Sequence, residues 1–277
     1  MATVDVPDVS MRTPPAPATP LGGALRLLDY WLIAYKRTWK GSVITSFVTP
    51  FLYILAMGVL LGGFVTSDPS RLDGATSYLA YVAPGMVATQ AMTTVFGEVT
   101  YPVMGMVKWQ KIYFSMHATP LGVKDIIVAH LAFVMFRVLT TCAVFIAILA
   151  PFGVFESVWG TLVAVLVQLL LGLAFATPIY AFACGLEDES SFSLIFRLGM
   201  IPLTLFSGTF FPISNLGSVM EAIAKVTPLW QGVDLTRMLV LGRVDGSWAV
   251  AHVAYLAVLA ALGWWWAVRR LDRRLVQ

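Results

Sequence analysis

Few side chains in this sequence have the types and spacing that catalysis needs. The acidic run Glu187-Asp188-Glu189, with the distant His117, is the one group that could act as acid, base or metal ligand. Its spacing matches no catalytic or metal-binding motif, so we interpret it as solvated charge. The sequence contains no G-x-x-x-x-G-K-[ST], G-x-S-x-G, H-E-x-x-H or C-x-x-C motif. We therefore expect no enzyme activity and no catalytic, metal or cofactor site in this chain.

A few polar side chains stand inside long apolar segments. Arg137 lies near the middle of one of them. A charge at the centre of a membrane costs ~2.5 kcal/mol or more, so this guanidinium needs water or a partner. It either contacts a substrate path or forms a structural pair with Glu98, and we favour the pair. Gln90 and Gln168 could bond between helices or line a path.

Residues 102–124 mix lysines, aromatic residues and methionines in a polar connection. Exposed side chains of these types are typical of a surface that docks another protein. They are equally typical of a loop whose aromatic residues sit at the lipid headgroups. The residues concerned are Lys108, Trp109, Lys111, Tyr113, Phe114 and Met116.

The composition places most of the chain in a membrane. Of 277 residues, 58% are hydrophobic and 12% are charged, about half the charge of a soluble domain. Ordinary soluble enzymes, disordered proteins and most nucleic-acid-binding proteins are thereby excluded. Six apolar segments are each long enough to cross ~30 Å of hydrocarbon, which predicts an all-α integral membrane protein with six transmembrane helices. The segments are residues 43–65, 77–97, 126–150, 157–186, 191–211 and 247–268.

The distribution of lysine and arginine predicts the orientation. With both termini in the cytosol, twelve of the 18 basic residues lie inside and four lie outside. Arg137 and Arg197 are within apolar segments. The predicted organisation is a flexible proline-rich cytosolic tail at 1–20, an interfacial helix at 21–41, a six-span domain at 42–269 and a basic cytosolic tail at 270–277.

The segment before the first span has the periodicity of an amphipathic helix. Apolar residues recur at positions 25, 28, 32, 35 and 39, and Trp31 widens that face. Lys36 and Arg37 gather on another side, and Trp39 closes the segment. We expect this helix to lie in the cytosolic interface, with Gly41 as an elbow into the first span. A helix packed on another domain is the alternative.

The segment between spans five and six predicts two short outer helices. Residues 216–226 carry an i, i+3, i+4, i+7 apolar pattern, and Glu221 and Lys225 form an i, i+4 pair on the opposite side. Pro228 should end or bend this helix. A second helix is expected over residues 229–241.

Four motifs carry a family resemblance. YLAYVAPGMVAT begins at Tyr78 in span two, and ATPLG begins at Ala118 in the inside loop. LFSGTFFPISNL begins at Leu205 and TPLWQGVDLTR begins at Thr227, and these two are the more specific. With this order of elements, residues 25–270 resemble the membrane subunit of ABC type-2 exporters, in the branch of nodulation protein J and of drug and polysaccharide exporters.

The resemblance implies partners and a mechanism. The permease would pair with a second permease chain, as homodimer or heterodimer, and with two ABC ATPase subunits that bind ATP and Mg²⁺. Residues 102–122 resemble the coupling helix that enters a groove on the ATPase. Spans one, two and five would line the path between the two halves. Gln90 and Thr93 are candidate wall residues, and the candidates for the outer end of the path are Phe206, Phe210 and Phe211.

The expected function is ATP-driven export of an amphipathic substrate across the bacterial plasma membrane. The substrate class would be a lipo-oligosaccharide, a lipid-linked glycan or a hydrophobic drug. Two alternatives remain open at this point. One is a membrane-embedded lipid-modifying enzyme, and the other is a channel or secondary transporter, which would favour charged pathway residues or paired broken helices.

Overall fold

A computed structural model describes residues 20–53, 55–56, 72 and 74–276. The predicted tail at 1–20 and most of the predicted first span beyond Tyr53 therefore lie outside the described residues, apart from Pro20 and residues 55–56. Throughout the described ranges the ordered elements are helices, in agreement with the predicted all-α class.

The helices follow one another with short connections. The first half contains α1 (Pro20–Tyr53), α2 (Tyr78–Val99), α3 (Tyr101–Met104), a π-helical turn (Gly105–Trp109), α4 (Ile112–His117), α5 (Val123–Leu149) and a 3₁₀ turn (Ala150–Phe152). The second half contains α6 (Val158–Gly185), α7 (Ser190–Leu194), a π-helical turn (Ile195–Met200), α8 (Ile201–Phe206), a 3₁₀ turn (Ile213–Leu216), α9 (Ser218–Val226), α10 (Pro228–Val240) and α11 (Gly246–Val276).

Three of the described helices are long and apolar enough to cross a membrane. They are Val123–Phe152, Val158–Gly185 and Gly246–Val276, and they coincide with predicted spans three, four and six. Helix α2 occupies predicted span two, and the shorter apolar helix Ser190–Phe206 occupies predicted span five. The two short helices predicted between spans five and six also form, because α9 ends just before Pro228 and α10 begins at it.

Helix α6 is the centre of the bundle, and small residues let its neighbours approach it closely. A Cβ on Gly263 of α11 would lie 2.6 Å from the Pro178 ring, and one on Gly232 of α10 would lie 2.6 Å from the Leu171 side chain. Gln168 of α6 donates a hydrogen bond to Thr236 of α10 at 2.8 Å, as expected of a buried amide. Close backbone approach and internal hydrogen bonds are the usual means by which membrane helices associate.

Helix α1 differs from the prediction in one respect. It continues through Gly41, where an elbow was expected, because one glycine costs a helix only about 1 kcal/mol. Leu25 is 56% exposed and Trp39 is 44% exposed, so the interfacial placement of this side stays a prediction. Trp31 is buried and packs on Phe133 of α5 within the same bundle.

The contact of Trp31 is specific. Its indole stacks on the His130 ring at a centroid distance of 4.3 Å and lies 5.4 Å from the Phe133 ring. Aromatic pairs of this kind add to the free energy that burial alone supplies. Trp31 therefore fixes the first half of α1 along α5.

We predict that Trp31→Ala loosens α1 from α5 and lowers the free energy of unfolding by about 3 kcal/mol, the usual result of removing a large buried aromatic side chain. The midpoint of thermal unfolding in detergent measures the change. Trp39→Ala is the matched control, and it should shift the midpoint little because Trp39 is largely exposed. Equal shifts for the two variants would contradict the assigned role of Trp31.

Candidate functional site

The chain makes a tight turn where it leaves α8. Gly208 adopts a φ of +75°, a left-handed conformation that favours glycine. Its carbonyl oxygen accepts two hydrogen bonds, from Nη2 of Arg237 at 2.7 Å and from the hydroxyl of Tyr81 at 3.3 Å. The turn is therefore held by both α10 and α2.

Helix α2 contacts the same turn along one side. A Cβ on Gly85 would lie 2.8 Å from Cα of Thr209, so only glycine allows this approach. The Thr89 hydroxyl lies 3.2 Å from the Thr209 hydroxyl, and the Tyr78 hydroxyl donates to the Phe210 carbonyl at 3.1 Å. The motifs that begin at Tyr78, Leu205 and Thr227 thus meet in one place, which we call the α10 end of the bundle.

Arg237 joins these three motifs. Its guanidinium is almost fully buried at 4% exposure, and its Nε and Nη2 atoms also donate to the Tyr81 carbonyl at 3.4 Å. The guanidinium carbon lies 4.0 Å from the Tyr81 ring centroid, a cation–π contact. Sequence reasoning counted this residue among the outside charges. The available signal was its spacing from Val233 and Val240, which puts it on the buried side of α10.

A small cavity lies beside the Gly208 turn, and three of the predicted path residues line it. Its volume is about 90 Å³, and its lining residues are Met86, Thr89, Gln90, Thr93, Phe145, Thr209 and Phe210. Gln90, Thr93 and Phe210 are thus brought together, whereas Phe206 and Phe211 do not line the cavity. Threonine hydroxyls and aromatic rings share its wall, so the cavity offers both polar and apolar contacts.

Arg137 lies away from that cavity, in the structural pair we favoured. Its Nε atom is 2.9 Å from the Glu98 carboxylate, and its Nη1 atom donates to the Tyr35 hydroxyl at 2.9 Å. The ion pair with Glu98 is confirmed, and Tyr35 is a partner that sequence reasoning did not foresee. Helices α1, α2 and α5 are joined by this one side chain.

The predicted docking segment lies at the opposite end of α2, which we call the α4 end. Trp109 is 52% exposed, and Lys111 is exposed in a left-handed conformation with a φ of 52°. Lys108 donates a hydrogen bond to the carbonyl of Glu187, which connects this segment to the turn after α6. Phe114 and Met116 are half-buried against the core.

Tyr113 was predicted to belong to the docking surface, and the structure shows that this prediction is wrong. Its side chain is completely buried, because α4 turns this face toward α5. Its hydroxyl is hydrogen-bonded to Nδ1 of His130 at 2.6 Å, and burial raises the pKa of Tyr113 well above its usual range. Tyr113 therefore anchors the segment and cannot touch a partner. Because His130 also stacks on Trp31, the docking segment and α1 share one support.

The acidic run near position 188 is a solvated turn. The Asp188 carboxylate accepts hydrogen bonds from the amide and hydroxyl of Ser190 at 3.1 and 2.8 Å, and these bonds lower the pKa of Asp188. Among the described residues, no three His, Cys, Asp or Glu side chains are grouped so that they could hold a metal ion.

Comparison with known proteins decides the family. The sequence profile described as "ABC-2 type transporter" matches residues 25–241. The chain belongs to the ABC-2 type transporter family. Two similar relatives are named nodulation protein J: that of Rhizobium leguminosarum bv. trifolii is 29% identical over 92% of this chain and 96% of its own length, and that of Sinorhizobium fredii is 28% identical over 89% and 94%.

The matched region contains the contacts of the Arg237 turn and of Arg137. In this ABC-2 membrane protein, the profile covers α1 through α10, and therefore includes both the Arg237 turn and the docking segment. Helix α11 lies beyond the matched residues.

We predict that Gly85→Ala destabilises the α10 end by about 1–3 kcal/mol, because the new methyl group meets backbone and forces a shift. Thermal unfolding in detergent measures the loss. Gly97→Ala in the same helix is the control, since a Cβ there meets nothing within 4 Å and should stabilise by about 0.5–1 kcal/mol. A loss of the same size at both positions would contradict the close approach of α2 to Thr209.

Replacing Arg237 should also weaken the turn. Arg237→Met keeps the volume but deprives the Gly208 and Tyr81 carbonyls of their charged donor, at a cost of about 2–3 kcal/mol. The same unfolding measurement applies. Lys225→Met removes a charge whose ion pair with Glu221 is partly exposed, so its effect should stay below ~1 kcal/mol. If Arg237→Met proves as mild as this control, the guanidinium does not hold the turn.

Proposed function

We propose that this chain is the permease subunit of an ABC exporter. It would span the bacterial plasma membrane six times with both termini in the cytosol, pair with a second permease chain, and carry two ABC ATPase subunits that bind ATP and Mg²⁺. Membership of the ABC-2 type transporter family supports this assignment. The permease itself supplies no catalytic residue in this proposal.

One observation carries the proposed coupling to ATP hydrolysis. The docking segment is exposed at Trp109 and Lys111, yet it is tied to the bundle by the buried Tyr113 and by the bond of Lys108 to Glu187. An exposed surface that is bonded to the bundle can transmit a movement of a bound partner to α5 and α6. A loop that served only as a headgroup anchor would need no such base.

The proposed substrate path runs along α2 and the helix Ser190–Phe206. That helix leaves large apolar side chains uncovered, among them Leu198 at 73% exposure. We infer that the second permease chain faces this surface and that the cavity with Gln90, Thr93 and Phe210 borders the path between the two chains. Phe206 and Phe211 would contact substrate farther along the path. Arg137 would not contact substrate and would hold α2 in place through its ion pair with Glu98.

The first half of α1 would lie in the cytosolic interface, as residues 21–41 of the predicted organisation. Lys36, Arg37 and Trp39 are exposed there, whereas Trp31 faces α5. Exposed basic and aromatic side chains suit contact with headgroups or with the ATPase. Residues 270–277 would be a cytosolic extension of α11.

The proposed substrate is amphipathic. The mixed lining of the cavity suits a molecule with polar and apolar parts, such as a lipo-oligosaccharide, a lipid-linked glycan or a hydrophobic drug. The relatives named nodulation protein J favour the first of these.

Copurification with the cognate ABC ATPase tests the coupling surface. We predict that Trp109→Ala and Lys111→Glu each lower the amount of bound ATPase by about tenfold, since exposed aromatic and basic residues dominate such contacts. Trp159→Ala is the matched control, because Trp159 is exposed at the start of α6 and should leave assembly unchanged. If no ATPase copurifies, or if movement of a labelled acylated oligosaccharide in vesicles needs no ATP, the exporter proposal fails in favour of a channel or secondary transporter.

A further inference from the structure

A cavity of about 300 Å³ lies where α6 ends beside the last turns of α11. Three arginines of α11 line it together with residues of the α6 terminus, and the full lining is Cys184, Gly185, Glu187, Arg270, Arg273 and Arg274. Three positive charges therefore face one negative charge. None of the motifs discussed above includes these arginines, and neither the proposed path nor the docking surface uses them.

The three guanidinium groups have N–H donors that no other described residue uses. None of them forms a salt bridge or a hydrogen bond with another residue in the part of the chain that the structure describes. Arg270 lies directly against Gly185, where an added Cβ would be 2.1 Å from its Nε atom. Because residue 185 is a glycine, the Arg270 side chain can pack directly against its Cα.

The sequence of α11 relates the cavity to the membrane–water boundary. Three consecutive tryptophans, Trp264 to Trp266, precede the arginines by about one turn, and tryptophan is favoured at the membrane–water boundary. The neighbouring Arg269 points elsewhere, with its guanidinium carbon 3.9 Å from the Trp265 ring centroid. The apolar part of α11 therefore ends just before the cavity begins.

We propose that this cavity binds the phosphate group of an anionic phospholipid. The planar guanidinium fork matches two phosphate oxygens at once, and basic pockets between membrane helices bind such headgroups. Free inorganic phosphate has the same oxygen chemistry, but the tryptophans set the cavity at the level where lipid phosphates are concentrated. The inference uses the membrane location of α11 and is independent of the proposed ATPase partner.

The site also borders the docking segment. Glu187 lines the cavity and accepts the hydrogen bond of Lys108 through its backbone carbonyl. A bound headgroup would therefore contact the same turn that supports the docking segment. Lipid composition would influence that turn without any contact to the substrate path.

Native mass spectrometry of the full chain in detergent tests the proposal. The wild-type protein is incubated with equal amounts of phosphatidylglycerol and phosphatidylcholine, and the retained copies of each are counted. We expect preferential retention of phosphatidylglycerol, and a loss of about fivefold in its affinity for each of Arg270→Gln and Arg274→Gln. Arg269→Gln removes the same charge one residue away and should leave retention unchanged, because Arg269 does not line the cavity.

Gly185→Ala provides a test without a change of charge. Its methyl group displaces the flexible end of Arg270, so retention of phosphatidylglycerol should fall while the protein stays monodisperse. Equal retention of both lipids by the wild type, or an equal loss in Arg269→Gln and Arg270→Gln, would overturn the site.

Two further outcomes would also refute a lipid ligand. Displacement of phosphatidylglycerol by millimolar inorganic phosphate alone would assign the cavity to a free anion. Loss of ATPase copurification in Arg270→Gln, with lipid retention intact, would assign it to an acidic surface of the partner.

Discussion

The carbonyl of Gly208 and the guanidinium of Arg237 form the contact on which the α10 end depends. A left-handed turn within an apolar bundle leaves backbone groups that water cannot reach, and each such group is costly unless a donor satisfies it. Arg237 supplies that donor from α10, and Tyr81 supplies another from α2. These two donors stabilise the path by which the chain leaves α8, returns as α9 and packs α10 against the bundle.

The α4 end is held by a different kind of chemistry. Trp31, His130 and Tyr113 form a buried aromatic group that joins α1, α4 and α5, and Arg137 with Glu98 and Tyr35 adds a polar link one to two turns deeper. Both links include α1. The segment proposed to meet the ATPase and the helix proposed to lie in the interface are therefore fixed to the same residues of α5. A displacement of the docking segment would therefore also displace α1.

Local pattern and hydropathy were sufficient for most helices and for one partly buried ion pair. The periodicity of residues 216–226 and the position of Pro228 located α9 and α10, and the cost of an unpaired charge identified Glu98 as the partner of Arg137. Burial that depends on distant residues was not accessible in this way. Arg237 and Tyr81 are 156 positions apart, and no local pattern relates them.

The incorrect expectations have two physical causes. Apolar periodicity shows which side of a helix avoids water, but lipid and protein interior both satisfy that requirement. Trp31 and Trp39 were therefore indistinguishable by type, although only Trp31 is buried. Tyr113 was assigned to a surface for the same reason. The elbow at Gly41 failed because the remaining hydrogen bonds of a helix outweigh one unfavourable residue.

The unbroken course of α1 has a mechanical consequence. Its 34 residues make a rod about 50 Å long, clamped on α5 at Trp31 and again at Tyr35. The part of α1 beyond Tyr35 extends from α5 as a continuous helix and moves with the part that is fixed to α5. A tilt of a few degrees at the clamped portion moves Tyr53 by an ångström or more, because the arm between them spans about 25 Å. A hinge at Gly41 would have absorbed that tilt, whereas the continuous helix carries it to its C-terminal end.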